Sequence, residues 1–131
     1  MYRALCLIVA VSLAGCGLNV ASPDLFLLTR SGQGGTVTLH VSDDGTLHCN
    51  GGPKKALSDK VLLQARDLAS TLDKDAKAGL DISRTPDSVY SYTIKLQDGT
   101  IRFPDTAAVT HHDLAQADLF AVQTIQSSCG A

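Results

Sequence analysis

Cysteine is the residue type in this 131-residue chain with the clearest potential for covalent chemistry. Cys6 and Cys16 lie in or directly behind an apolar N-terminal run, whereas Cys49 and Cys129 stand far apart in the rest of the chain. Any carboxylate chemistry is limited to aspartate, because all 13 acidic residues are aspartate and the sequence contains no glutamate. The cysteines are therefore the residues that indicate most directly how this chain is covalently modified.

The N-terminus has the three zones of a secretory signal peptide. Residues 1–3 carry a positive charge, residues 4–13 are almost entirely apolar, and Ala14 and Gly15 are small. The apolar stretch is too short to span a bilayer permanently. The alternative, a buried helix, would need an amphipathic period, which this run lacks. We expect residues 1–15 to be a signal peptide.

The sequence Leu13-Ala14-Gly15-Cys16 resembles the lipobox of bacterial lipoprotein precursors. In that family the cysteine thiol receives a diacylglyceryl group, and the leader is cut directly before it. The resemblance implies lipidation of Cys16 by acyl chains such as palmitate, each buried methylene contributing about 0.8 kcal/mol to membrane affinity. The expected location is extracytoplasmic, with a lipid anchor in a bacterial cell membrane. The sequence does not distinguish the inner from the outer membrane as the site of the anchor.

Lipidation of Cys16 leaves Cys49 and Cys129 as a pair, since Cys6 departs with the leader. Oxidising compartments favour disulfides, so we predict that this pair forms one. The chain-entropy model gives roughly 4–5 kcal/mol for closing so long a loop. Two free buried thiols are the alternative.

The remaining chain is one domain long. We predict a lipidated cysteine and short linker at residues 16–23, followed by a single domain at residues 24–131. Fully extended, seven linker residues reach roughly 23 Å at about 3.3 Å each. The net charge of −2 and the lack of a basic stripe argue against a nucleic-acid partner. Oligomeric state stays open.

The domain has the pattern of two similar halves. Residues 24–30 predict an apolar strand ending at a flexible "SGQGG" loop, and residues 36–49 predict a hairpin. Ser58 is a predicted N-cap for an amphipathic helix with Leu62, Ala65, Ala69 and Leu72 on one stripe.

After residues 73–88, interpreted as a solvated connector, the hairpin pattern returns at residues 89–103 and a helix pattern at 110–129. The second helix is expected to face inward with Leu114, Ala121, Val122 and Ile125. These patterns predict an α+β fold. It has an antiparallel sheet of about five strands, two helices on one face, pseudo-repeated ββα units and one disulfide.

Both hairpins contain an Asp-Gly pair, and burial of one face predicts their registers. In the first, a three-residue turn with left-handed Gly45 sets Leu39 opposite Cys49. In the second, a two-residue Asp98-Gly99 turn sets Leu96 opposite Ile101 and Ile94 opposite Phe103.

The first register also makes His40 and His48 cross-strand neighbours on the outer face. Two imidazoles are too few for a typical metal site, and no convincing third ligand is near in sequence. His111-His112-Asp113 at the last helix start is interpreted as solvated. We predict no metal, no cofactor and no catalytic residue, although metal use of these histidines stays an alternative.

The motifs of common enzyme classes are missing. The chain has no HExxH, no G-x-S-x-G and no P-loop sequence. Serine, histidine and aspartate are all present, so a small hydrolase remains an alternative. We predict a non-enzyme: a protein-binding or envelope-associated module.

The sequences "RSG" (30–32) and "PDSVYSYTIKLQDGTIRFPDT" (86–106), with the final helix, resemble emfourin-type inhibitors of thermolysin-like metalloproteases. The glycine–aromatic loop of that family has no counterpart in "SGQGGTVTL", so no inhibitory residue is carried over. The resemblance implies a tethered protease inhibitor as the alternative function. Its inhibitory loop would be residues 31–35 or 50–57, the latter with basic Lys54 and Lys55.

Overall fold

A six-stranded antiparallel sheet and two α-helices account for most of residues 24–130, the part of the chain that the computed structural model describes. In chain order the elements are β1 (Asp24–Gly32), β2 (Gly35–Ser42), β3 (Thr46–Cys49), β4 (Lys55–Ala56), α1 (Asp59–Lys77), β5 (Tyr90–Leu96), β6 (Gly99–Pro104), a 3-10 helix (Asp105–Val109) and α2 (His112–Ser128). The strand order is β4-β3-β2-β1-β5-β6. The predicted α+β class is confirmed. The predicted signal peptide, the lipidated Cys16 and the linker lie outside the described residues.

One face of the sheet carries the core. Alternate strand residues point to the same face, and those facing the helices are buried: Phe26, Leu28, Leu39, Val41, Leu47, Tyr92, Ile94, Ile101 and Phe103. The opposite face is polar, with Thr29 paired to both Thr38 and Thr93 across the three central strands. The alternation thus assigns one face to the helices and the other to solvent.

Ser58 caps α1 as predicted, its hydroxyl accepting a hydrogen bond from the Val61 N–H at 3.3 Å. The buried positions are Ala65, Leu68, Leu72 and Ala76, so the predicted stripe was placed partly wrong. The prediction that residues 73–88 are all connector is also wrong, because the helix continues to Lys77. A Lys77–Asp73 ion pair (2.8 Å, one turn apart) and burial of Ala76 extend it.

The two helices do not pack only on the strands of their own predicted half. The order β2–β3–α1 and β5–β6–α2 reproduces the pseudo-repeat, yet α1 packs on β1, β5 and β6, while α2 packs on β2. α1 and α2 also contact each other. Each helix therefore covers strands of the other half, which makes the two halves one core.

One edge of the sheet is a very short strand, and the other is covered by a connecting segment. The sixth strand, β4, was not predicted. It pairs two residues with Thr46 and Leu47 at the β3 edge. At the other edge, the Arg102 N–H donates to the Leu80 carbonyl (2.9 Å), and the Ile82 N–H donates to the Arg102 carbonyl (2.8 Å). Short or covered edges limit strand addition by another chain.

The first hairpin has the predicted register. Leu39 pairs with Cys49 and His40 with His48 around a three-residue turn. Gly45 has φ +85°, in the left-handed region as expected. In contrast, "SGQGG" is not a flexible loop, because β1 and β2 continue through it to pair Gly32 with Gly35.

The second hairpin has the predicted faces but not the predicted partners. Leu96 pairs with Gly99 instead of Ile101, and Ile94 pairs with Ile101 instead of Phe103. The turn is therefore Gln97-Asp98. A shift of two residues keeps every side chain on its face, so the burial argument could not distinguish the two registers.

Candidate functional site

The sulfur atoms of Cys49 and Cys129 lie at disulfide distance, with their Cα atoms 5.7 Å apart and 80 positions between them in sequence. Cys49 ends β3, where its pairing with Leu39 places it on the core side. Cys129 follows the last turn of α2 and donates its N–H to the Ile125 carbonyl at 3.0 Å. The predicted pairing is confirmed, and it joins the end of α2 to the sheet.

Directly after Cys49, residues 50–54 form a surface loop that we call the 50–54 loop. Asn50 has φ +53° and is the one non-glycine residue with positive φ in residues 24–130. Its N–H donates to the Thr38 carbonyl and its Oδ1 accepts from the Thr38 N–H, both at 2.8 Å. Asn50 is thereby held in the left-handed conformation, which asparagine tolerates better than most residues, at the point where the chain leaves the sheet.

The middle and far end of the 50–54 loop are fixed as well. The Gly52 N–H donates to the Cys49 carbonyl (2.9 Å), and the Gly52 carbonyl contacts His48 Nδ1 (2.8 Å). Beyond the loop, Lys55 of β4 pairs with Leu47 of β3, and the Lys55 ammonium donates to the Ser128 carbonyl. The loop is therefore held at both ends by backbone pairing.

The tip of the 50–54 loop is exposed: Asn50, Gly51, Pro53 and Lys54 all face solvent. The Lys54 ammonium lies 3.7 Å from an Asp44 carboxylate oxygen, and its side chain is 61% exposed. The pKa of Asp44 is lowered, chiefly because the Thr46 hydroxyl donates to it at 2.5 Å. Of the two regions predicted as candidate inhibitory loops, residues 50–57 are mostly exposed and are fixed by hydrogen bonds, whereas residues 31–35 are mostly strand.

The predicted histidine pair is present, with ring centroids 6.0 Å apart. His40 Nε2 lies 2.9 Å from Asp24 Oδ1, a contact that ties the first described residue to the sheet. Within residues 24–130, no group of three or more histidine, cysteine or aspartate side chains is arranged to hold a metal ion. His111 precedes α2, and its Nδ1 lies 3.0 Å from the Thr110 hydroxyl.

A buried tyrosine marks the contact of α2 with the sheet. The Tyr92 side chain packs on Phe103 (ring centroids 5.1 Å apart), and its hydroxyl donates to the Asp118 carboxylate. Burial first, and then that hydrogen bond, raise the pKa of Tyr92. Nearby, the Arg30 guanidinium stacks over the Tyr90 ring at 4.5 Å. The neutral Tyr92 hydroxyl fixes α2 in place.

Sequence reasoning missed a groove of about 230 Å³ between α1 and α2. Its base includes Leu68 and Phe120, and its walls carry three glutamines, two aspartates, Thr71, His112 and Leu119. The wall residues belong to helices far apart in the chain, so only the packing of α1 on α2 brings them together.

No known family, curated protein or solved structure matches the chain. Among the described residues, neither helix has the length and apolar character needed to cross a bilayer.

Proposed function

We propose that this protein is a lipid-anchored, extracytoplasmic binding module that acts by contacting a protein partner and not by catalysis. The observation that carries the proposal is the Cys49–Cys129 pair at disulfide distance. Disulfides persist mainly outside the cytosol, which agrees with the secretory leader and the lipobox-like Leu13-Ala14-Gly15-Cys16 sequence. Both lines of reasoning indicate the same compartment.

The position of Asp24 supports a short tether. Strand β1 begins at Asp24, and in the sequence only residues 17–23 stand between it and Cys16, the proposed site of acylation. Asp24 pairs with Ser42, so the first hairpin turn lies at the end of the sheet nearest the proposed anchor, and the Gln33-Gly34 turn lies at the opposite end. The 50–54 loop is exposed, and its last residue, Lys54, lies beside Asp44 of the first hairpin turn, which leaves the loop accessible to a neighbouring protein.

The anchor is tested by labelling cells with a palmitate analogue and by fractionating their membranes. The wild-type chain is expected to incorporate label and sediment with membranes, whereas Cys16→Ser is expected to do neither. Cys129→Ser is the matched control and should retain the label. Mass spectrometry that finds an intact leader with a free Cys16 thiol would contradict the proposal.

Partner contact is tested by photo-crosslinking in intact cells, with the crosslinking residue placed at position 54 in the loop or at position 75 on α1. A discrete crosslinked product specific to position 54, lost when Asn50→Ala loosens the loop, is the expected result. Equal labelling from both positions, or none from either, counts against a protein-binding surface at the loop.

A second candidate function is inhibition of a protease, favoured by the exposed, clamped 50–54 loop. A loop already fixed in one conformation loses less entropy on entering an active-site cleft. Lys54 offers a cationic side chain of the kind that fills a carboxylate-containing specificity pocket. The loop thus favours a serine protease selective for basic residues, whereas the emfourin-like segments imply a metalloprotease.

A panel of both protease classes tests this alternative. Slowing of a lysine-selective serine protease by micromolar protein, abolished by Lys54→Ala and unchanged by Lys74→Ala, is the expected pattern for the loop mechanism. Inhibition of metalloproteases alone would favour the emfourin-like reading. If no protease in either class is slowed, the inhibitor function is excluded for that panel.

A further inference from the structure

The groove between α1 and α2 has a lining that is unusual for this surface. Leu68 and Phe120, 5% and 6% exposed, form part of its base, and Leu119 on the wall is 50% exposed. Gln64 and Gln116, both exposed, also line the groove. The groove therefore combines an apolar strip with hydrogen-bonding groups that reach solvent.

The carboxylates that line the groove are Asp67 on α1 and Asp113, and Asp113 lies in the first turn of α2, near the positive end of the helix dipole. Neither carboxylate forms an ion pair within residues 24–130. Arg66, the cation next to Asp67 in sequence, is directed to Asp43 instead, with 2.7 Å between Nε and Oδ1. No lysine or arginine of the described chain lines the groove.

Some carboxylates elsewhere in residues 24–130, Asp75 among them, also lack an ion pair, but they do not line the groove. Others have a cationic partner. Asp44 lies near Lys54, and Asp73 and Asp98 share Lys77. These pairs cancel much of their own field, whereas two like charges beside a low-dielectric strip focus it on the groove. A ligand complementary to the groove carries a positive charge.

We propose that the α1–α2 groove binds a lysine or arginine side chain of a partner polypeptide. Such a side chain has an aliphatic stem, which matches the strip formed by Leu119 and Phe120, and a cationic head, which matches Asp67 and Asp113. The glutamine side-chain oxygens accept the remaining N–H donors of the head group. A volume of about 230 Å³ accommodates one long side chain and not a folded segment.

This inference rests on the proposed function only because it takes the partner to be a protein. The site itself is defined by the groove and its charge, independently of where the chain is anchored. Acylation at Cys16 and crosslinking from position 54 test the proposed function without involving the groove, so the two ideas fail separately.

The test uses the full chain in detergent micelles and isothermal titration calorimetry with blocked tripeptides, acetyl-Ala-X-Ala-amide. Peptides with X as arginine or lysine are expected to bind. The peptide with X as citrulline, which has nearly the same shape without the charge, is expected to bind at least tenfold more weakly. Equal affinity for arginine and citrulline, or no binding of the arginine peptide at millimolar concentration, would overturn the proposal.

Two variants localise the site. Asp67→Asn and Asp113→Asn are each expected to weaken arginine-peptide binding at least fivefold. Asp75→Asn, which makes the same charge change on α1 away from the groove, should leave it unchanged. A circular dichroism melt confirms that each variant is folded. Equal losses in all three variants would indicate a nonspecific field, and binding of spermidine without the arginine peptide would indicate a small polyamine ligand; either result contradicts the proposal.

Discussion

The two hairpins contain the same Asp-Gly pair, yet the glycine has a different role in each. In the first, Gly45 lies in the turn with φ +85°, and a Cβ there would meet a Leu62 methyl group at 3.4 Å. In the second, Gly99 is the first residue of β6 and has no positive φ. A Cβ at Gly99 would lie 2.0 Å from the Ala76 carbonyl oxygen.

Gly45 is therefore required for its backbone conformation, and Gly99 for its lack of a side chain. The end of α1 lies directly against Gly99, so the second hairpin is fitted to a helix. The first hairpin is fixed by its own turn and by Cys49. The same Asp-Gly sequence thus meets two different requirements. In the first hairpin it is a backbone conformation within the turn, and in the second it is close packing against a helix.

The largest expected effect concerns the covalent link that only the first hairpin has. Replacing both Cys49 and Cys129 by alanine should lower the free energy of unfolding by roughly 4–5 kcal/mol in urea titrations. Amide exchange should accelerate most in β3 and β4, while β5 and β6 retain their relative protection. Uniform acceleration across the sheet would show that the link does not distinguish the hairpins.

Gly99→Ala should be the next most damaging change, because the new methyl group displaces the end of α1. Overpacking of this kind costs about 1–3 kcal/mol, measured as a lower unfolding free energy. Gly99→Asn should be at least as harmful, since a larger side chain meets the same carbonyl. A neutral Gly99→Ala would show that α1 moves away freely.

Gly45→Ala should cost about 1 kcal/mol, the penalty of a left-handed conformation for a residue with a Cβ. Gly45→Asn should cost less, because asparagine tolerates this conformation. The same urea titrations measure both variants. Asparagine should therefore rescue position 45 and not position 99, and the reverse order would contradict the assigned roles of the two glycines.

The smallest effect distinguishes the aspartates that precede the two glycines. The pKa of Asp98 is raised above 3.8, chiefly by its hydrogen bond with Asp73, whereas the Thr46 hydroxyl lowers the pKa of Asp44 below 3.8. NMR titration of the side-chain carboxyls should show this order. Asp73→Asn should bring Asp98 back towards 3.8 and leave Asp44 unchanged.

The two shifts have opposite linkage to stability. The lowered pKa of Asp44 stabilises the fold above pH 3.8, and that contribution is lost as the pH falls through the folded-state pKa. The raised pKa of Asp98 stabilises the fold below pH 3.8, and that contribution is lost as the pH rises through the folded-state value. Coincident titration of the two carboxyls would contradict this difference.

Alternation and turn residues predicted the fold class and the first register, because both depend on local geometry. The cysteine pair was predicted because the assignment of Cys6 and Cys16 to the leader and anchor left only Cys49 and Cys129. The partners of Leu96 were predicted wrongly because alternation fixes a face and not a register. The decisive contact, Gly99 against Ala76, joins two elements whose packing no local pattern records.

The candidate sites also combine features that local sequence predicts with contacts that depend on how the elements pack. The 50–54 loop could be predicted as a loop, since Gly51, Gly52 and Pro53 interrupt the strand pattern. Its hydrogen bonds from Asn50 to Thr38 could not, because they depend on how the chain leaves β3. The groove could not be predicted from the sequence, because Asp67 and Asp113 line the same groove only through the packing of α1 on α2.

The bond between Cys49 and Cys129 closes a covalent ring that contains both helices and the second hairpin. A single cut by a protease in the exposed stretch around Thr85 and Asp87 would open this ring without releasing a fragment. Both pieces would stay attached to the strands that lead back to the N-terminus. If the protein is extracytoplasmic, as proposed, one nick by an enzyme outside the cell would leave the molecule in one piece.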